Sequence, residues 1–487
     1  MTLVVLALYL SLVLTIGFVA NRSFRGTGED YFVATRSIGP FVLLMSIFGT
    51  HMTAFSLLGA SGEAYRRGVG VFGLMASAAA VVVPLMIYTV GTRLWVIGKR
   101  EGFTTQAQYF RARFESDGLG LVLFVVLVSL VVPYLLIGVM GGGQTLWQIT
   151  GEEVPKWVGG LIISIVVMTY VTFGGLRGTA WVNTFQTLVF MVLGAITLIY
   201  IVRALGGFEA ALSSVEQSRP DLMVREGKIT PTVFIGYLLI PCSVGMFPHL
   251  FMHWLSARSL NAFKVPMIAY PLCIAIVWLP STLMGIFAHG SFPGLEGPAA
   301  SSVLIRMIDQ FAPDLLAGLL GAGVFAAVMS SLDSQVLSVG NMFTHDIVDH
   351  YRFQDKMSEK AQVLVGRLFV ASVLALTFVI SLFAKATIFG LAVWSFTGFS
   401  GLFPLVLAAL FWRRATRQGA YATVLTVAVL WLYFFNDGFG VSGYSAFGTG
   451  LAPVVVIFAA SSLAMVVVSL MTQPPSEETL QRFFPAA

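Results

Sequence analysis

The chain has 487 residues, 57% of them hydrophobic and only 10% charged. Soluble domains carry about 25% charged residues, so this composition excludes an ordinary water-soluble protein. The 28 Lys and Arg exceed the 23 Asp and Glu, giving a net charge of +5, but no basic run interleaved with aromatics accompanies the excess, so nucleic acid is not indicated as a partner.

The first element is the run from Thr2 to Ala20. It has no basic n-region and no small-residue cleavage site, and reads as a retained span rather than a signal peptide. A membrane helix needs about 20 apolar residues. On that measure about thirteen transmembrane helices follow in chain order, at 2–20, 40–62, 70–93, 118–143, 157–176, 179–204, 232–254, 265–289, 315–345, 364–384, 387–411, 418–435 and 450–471. The fold class is therefore all-α integral membrane, surrounded by lipid. Loops are short except 205–231, 290–314 and 346–363, and the tail after Met471 is too short to fold alone. Cys242 and Cys273 both lie in apolar stretches, with no metal spacing and no disulfide framework. Nothing in the sequence calls for an obligatory protein partner.

With the N-terminus outside, 19 of the 28 basic residues fall on the inner side, Arg22, Arg25, Arg36, Arg352 and Lys356 among them. That bias predicts a multi-pass protein of the cell membrane with its C-terminus inside.

Two spans are interrupted. The second reads Ser46-Ile47-Phe48-Gly49-Thr50-His51-Met52-Thr53, and the seventh reads Ile240-Pro241-Cys242-Ser243-Val244-Gly245-Met246-Phe247-Pro248-His249. Pro removes a backbone donor and Gly tolerates non-helical angles, so each is either a simple kink or unwound backbone lining a cavity. Their separation by five spans favours the second reading. It makes each the first helix of a five-helix half, and an odd separation means the halves run in opposite directions. Paired interruptions in two inverted halves point to the binding site of a secondary transporter.

Span nine contains Ala326-Ala327-Val328-Met329-Ser330-Ser331-Leu332-Asp333-Ser334-Gln335. Adjacent hydroxyls lie about 100° apart on a helix, so Ser330 and Ser331 can both lean toward one small cation, completed by carbonyls freed in the broken second span. Alternatively, both hydroxyls bond back to the preceding turn. Asp333 costs about 3 kcal/mol to insert and marks function; an Arg partner or a helix end accounts for it as well as ligand contact does. His51 sits in the first break and reads equally as facing the cavity or the protein, while His249 and His253 read as structural or gate residues.

At these residues the chain resembles the sodium/solute symporter family, which includes sodium/proline, sodium/pantothenate and sodium/monocarboxylate symporters. The resemblance covers about residues 25 to 420. It rests on Asp30-Tyr31-Phe32-Val33-Ala34-Thr35-Arg36-Ser37-Ile38-Gly39-Pro40, on Gly174-Gly175-Leu176-Arg177 before Ala180-Trp181, on Pro248-His249 ahead of Leu255-Ser256-Ala257-Arg258, and on Met329 to Gln335. It implies a LeuT-type five-plus-five inverted repeat with flanking helices. The expected organisation is a flanking span and inner loop (1–39), a first repeat (40–204), an outer loop (205–231), a second repeat (232–411), and two flanking spans with a short inner tail (412–487).

By the same resemblance, Na⁺ would be held by the carbonyls of Gly49, Met52 and Ala327 and the hydroxyls of Ser330 and Ser331. The solute would lie between the broken helices, near Thr50, His51, Thr53, Ser56, Ser243 and Phe247. Many family members carry an Asp where this chain has Asn183. That removes a carboxylate which a second sodium or proton site in span six would use, leaving Asn183 and Asp333 as candidates for the ion pathway. His51 adds a cation to the pocket and favours a monocarboxylate-type anion, with a proline-like solute as the alternative. The implied activity is Na⁺-coupled import of a small organic solute by alternating access, with no organic cofactor. A channel and a proton-coupled carrier working through His51 or Asp333 are the rival readings. No His-Glu-x-x-His or Gly-x-Ser-x-Gly run suggests an enzyme.

Overall fold

Apolar runs in lipid become helices because each must satisfy its backbone polar groups within its own segment. The computed structural model describes residues 2–21, 31, 33–351, 358–441 and 443–485, and those residues contain helices and no strand. Asp30 and Phe32 of the first motif, and the basic residues Arg22, Arg25, Arg352 and Lys356, lie outside the described residues.

The first half of the chain holds α1 (Thr2–Asn21), α2 (Pro40–His51), α3 (Phe55–Arg67), α4 (Gly70–Glu101), α5 (Gln106–Arg113), α6 (Asp117–Ile149), α7 (Lys156–Ala204) and α8 (Phe208–Ser218). The second half holds α9 (Pro231–Gly245), α10 (Pro248–Ser256), α11 (Leu260–Gly290), α12 (Val303–Phe311), α13 (Asp314–Asp349), α14 (Lys360–Ser381), α15 (Ile388–Phe411), α16 (Arg417–Gly438), α17 (Pro453–Met471) and α18 (Glu477–Phe483). Among the described residues, ten helices are long and apolar enough to cross a membrane. Two bent pairs bring the number to twelve: α2 with α3 at 59°, and α9 with α10 at 50°. The 49 residues of α7 span roughly 70 Å, more than twice the hydrocarbon thickness. Dividing α7 at its break gives the thirteen spans expected from the sequence.

That break is Gly175, at φ 54° and ψ −156°, a conformation essentially reserved for glycine. A Cβ there would also stand 2.7 Å from both Tyr31 Cδ2 and the Tyr31 carbonyl. Gly175→Ala should therefore cost about 1–3 kcal/mol from the backbone alone, read as a lowered melting temperature of the purified protein in detergent.

Two stretches read as loops contain helices. Both α8 and α12 are too short to span, but each buries one side, α8 through Ala211 and Val215 and α12 through Val303, Leu304, Ile305, Met307 and Ile308. Residues 346–349, also read as loop, continue α13.

Three of the four family-like motifs meet at one end of the bundle. Ile38 forms an isolated parallel bridge with Ala257, its amide donating to the Ser256 carbonyl at 3.0 Å and its carbonyl accepting from the Arg258 amide at 3.0 Å. Ala34, Thr35 and Arg36 are all left-handed, with φ of 51°, 48° and 52°, at about 1–2 kcal/mol per residue. Charged donors offset that strain. Arg36 reaches the carbonyls of Leu255 (3.1 Å), Gly98 (3.2 Å) and Phe103 (2.8 Å), while Arg177 donates to Thr35 Oγ1 at 2.9 Å. The segment before α2 thus ties the end of α10 to α4 and α7.

At the same end α18 folds back onto the bundle. Glu115 accepts hydrogen bonds from Ser476 Oγ (2.6 Å) and from Thr479 Oγ1, Arg482 pairs with Glu101 at 2.7 Å, and Phe483 is buried against Tyr109. The two hydroxyls lower the pKa of the Glu115 carboxyl. A depressed folded-state pKa stabilises docking above the ordinary carboxylate range, and the contribution is lost as pH falls through the folded value. Glu115→Gln should loosen α18 at neutral pH, and acid should do the same to the wild type. Faster amide exchange over 477–483 measures both effects.

Candidate ion and solute site

The first break follows from how its residues use their polar groups. Met52 is extended (φ −83°, ψ 107°) and its amide still closes α2 onto Phe48. The next carbonyls, beginning with Gly49, lose their helical donors. Thr53 then starts α3 as a cap would: its Oγ1 accepts from the Phe55 amide at 2.9 Å, and its carbonyl accepts from the Ser56 amide at 3.0 Å and Ser56 Oγ at 2.8 Å. The hydroxyls of Thr53 and Ser56 are thus occupied with broken backbone rather than turned freely into a pocket.

Opposite this break runs α13. Ser330 Oγ lies 2.9 Å from the Gly49 carbonyl and 3.1 Å from the Ala327 carbonyl. Three of the five residues named for the cation therefore stand at one point between α2 and α13. Ser331 Oγ donates to the Val328 carbonyl of its own helix at 3.0 Å, so this hydroxyl is turned back as the alternative reading anticipated. Gly49 is required by close packing, because a Cβ there would run into Thr187 Oγ1 on α7.

A buried polar network adjoins this point. Thr50 Oγ1 donates to Ser334 Oγ at 2.7 Å and lies 3.4 Å from the Ser330 carbonyl. The amide nitrogen of Asn183 lies 3.1 Å from Thr50 Oγ1, 3.0 Å from Ser334 Oγ and 3.2 Å from Asp333 Oδ1. Asp333 also accepts from Tyr170 (2.8 Å) and from Ser334 (3.0 Å). No ion pair among the described residues includes Asp333, so the Arg partner considered from sequence is not what holds it. Asn183 thus faces the carboxylate of Asp333 directly across the α7–α13 contact.

His253 joins both broken helices to this network. Its Nδ1 is 3.0 Å from Ser46 Oγ, and its Nε2 is 3.2 Å from Thr50 Oγ1 and 3.0 Å from Ser334 Oγ. The structural reading of His253 describes that role, but Ser46, Tyr170 and Ser334 were not singled out. For Ser334 a signal was available: it lies four residues after Ser330 and shares its helix face.

The second break comprises a tight turn over Ile240–Gly245, then Phe247 in an extended conformation, then Pro248 at the first position of α10, where its missing donor costs nothing. Ser243 is buried in the turn. Phe247 is fully buried at the centre of an aromatic cluster, with ring centroids 5.3 Å from Tyr134, 4.9 Å from His249, 5.5 Å from Phe396, 5.0 Å from Phe399 and 6.2 Å from His51. His51 Nδ1 shares a hydrogen bond with the Tyr270 hydroxyl. The two breaks thus face each other through His51 and Phe247, while Thr50 points away toward α7 and α13.

Residues 31–426 match the family model described as "Sodium:solute symporter family". The chain belongs to the sodium:solute symporter family. Similar curated relatives include a sodium/proline symporter of Escherichia coli strain K12, 25% identical over 99% of this chain and 95% of that protein. A sodium/pantothenate symporter of the same strain is 27% identical over 88% of this chain and 89% of its own length. Among solved structures, a Na⁺-coupled sialic acid symporter in a substrate-bound outward-open state superposes with a TM-score of 0.81 at 17% identity, covering 98% of this chain and 99% of that one. At that identity the likeness establishes the fold, which is the LeuT-type architecture. The symporter is an integral multi-pass membrane transporter and not an enzyme, and its family membership implies coupling to Na⁺.

Proposed function

We propose that this symporter imports a small organic carboxylate together with Na⁺ by alternating access across the cell membrane, with its N-terminus outside and its C-terminus inside. The observation that carries the reading is the approach of Ser330 to the freed Gly49 carbonyl, 2.9 Å apart. Na⁺ held by Gly49, Met52, Ala327, Ser330 and Ser331 would fasten α2 to α13, and opening the inner side would separate those helices and release ion and solute. Asn183 and Asp333 would carry the ion's path inward.

The solute would lie between the breaks, against His51, Ser243 and Phe247, with Thr53 and Ser56 holding the shape of the α2–α3 break and Thr50 turned from it toward the ion. His51 supports an anionic group, since only its Nδ1 is bonded to Tyr270. The relatives support a second reading, a proline-like zwitterion; proline, pantothenate and sialic acid each carry one carboxylate, which the two readings share.

Transport current separates the two. A charge crossing 100 mV contributes about 2.3 kcal/mol, or roughly fiftyfold accumulation. One Na⁺ with one monoanion moves no net charge, whereas one Na⁺ with a zwitterion carries current. Uptake and counterflow of labelled carboxylates, amino acids and sugars in proteoliposomes, with and without Na⁺, test the proposal. Counterflow that needs no Na⁺ would contradict it.

A further inference from the structure

We infer that His249, Tyr134 and the N-terminal end of α10 form the subsite that receives the solute's carboxylate. The inference rests on the proposed function and deepens it by assigning the group that recognises the anion.

Two independent observations meet here. The first is the start of α10. Phe247 precedes it in an extended conformation with no side-chain cap, and Pro248 supplies no N–H. The amides that follow point into the break and carry the positive end of the helix dipole, an arrangement that favours an anion. The second is a pair of buried polar side chains with no partner. His249 is fully buried and neither of its ring nitrogens has a hydrogen-bond partner, while the Tyr134 hydroxyl on α6 is equally buried and unpaired. The His249 ring stacks on Phe247, the residue just before α10, and its centroid lies 5.5 Å from that of Tyr134.

Leaving three such groups unsatisfied is expensive, and a carboxylate suits them. It accepts from an imidazole N–H, from a phenol O–H and from the first free amides of α10. Phe247 packs beside this end, its ring stacked on His249. The remainder of the solute then extends from this end past Phe247 and Phe396 toward His51. His253, one turn further along α10, has both ring nitrogens engaged, which leaves His249 as the histidine of α10 available to the solute.

The test uses the full-length protein in detergent and reads thermal stabilisation in Na⁺ by three acids and their carboxamides: L-proline and L-prolinamide, pantothenate and pantothenamide, pyruvate and pyruvamide. At least one acid is expected to stabilise the protein with an apparent affinity about tenfold or more above its carboxamide, the loss typical of a hydrogen bond to a charged group. Tyr134→Phe, which removes one oxygen, and His249→Phe, which keeps the ring stack, should each shrink that ratio toward one. Both should keep the wild-type response to Na⁺ alone, which also reports that they fold. Acid and amide binding within about twofold in the wild type, a ratio that persists in both variants, or no response to any acid would each overturn the inference. Failure of the sodium reading is distinguishable, because it would appear as no stabilisation by Na⁺ itself.

Discussion

Replacing Ser330 and Ser331 together by Ala is expected to raise the Na⁺ concentration for half-maximal uptake by at least tenfold. A hydroxyl that contacts a cation contributes roughly 1–1.5 kcal/mol after its exchange with water, or about tenfold in binding. Two hydroxyls on one ion need not add, since loss of the first lets the shell relax. The geometry also ranks the single variants. Ser330 Oγ already bridges the Gly49 and Ala327 carbonyls, so Ser330→Ala removes both an oxygen of the cage and a link between α2 and α13. Ser331 Oγ is bonded to Val328 and must give up that bond to meet an ion, so Ser331→Ala alone should have the smaller effect. Na⁺ titrations of uptake in proteoliposomes decide the matter. An unchanged Na⁺ requirement in the double variant would place the coupling ion elsewhere.

Much of the architecture was legible because membrane helices obey a length rule. The interruptions at Gly49–Thr53 and Pro241–Pro248 were legible because Pro and Gly report lost helical bonds directly, and both spans are bent there. The approach of Ser330 to Gly49 was within reach for a similar reason: a hydroxyl on an otherwise apolar face needs a partner, and freed carbonyls stand opposite. What could not be read was direction. Thr50 and His51 are neighbours at the end of α2, yet one faces the α13 network and the other the aromatic cluster, because successive helical side chains point about 100° apart and the sequence does not say which of the two faces which neighbour. Thr53 and Ser56 look like pocket hydroxyls in sequence but satisfy the backbone that the break exposed. Tyr134, Tyr170 and Tyr270 were hidden for another reason. A tyrosine in a membrane span is indistinguishable from ordinary core until the location of its hydroxyl is known.

The largest charge effect is expected at Asp333. Its carboxylate is fully buried, and its partners Tyr170, Asn183 and Ser334 are all neutral. An uncompensated ion at such a site is costly by several kcal/mol, so a positive charge must accompany it at some stage of the cycle. The oxygens proposed for Na⁺ are one helical turn away, connected through Ser334 and Thr50. At a separation of about 8 Å and an effective dielectric near 20, a carboxylate contributes about 2 kcal/mol to holding that cation. Asp333→Asn keeps the size and most of the hydrogen bonding while removing the charge. It should therefore weaken Na⁺ roughly thirtyfold, with little change in the solute concentration for half-maximal uptake at saturating Na⁺. A compensating proton would behave differently: uptake would then vary with pH in the wild type, and Asp333→Asn would flatten that profile without shifting the Na⁺ requirement. Measuring Na⁺ titrations across pH for both proteins distinguishes the two charges. A variant that matches the wild type on both axes would reduce Asp333 to a packing residue, which the three hydrogen bonds it accepts, with no basic partner among the described residues, argue against.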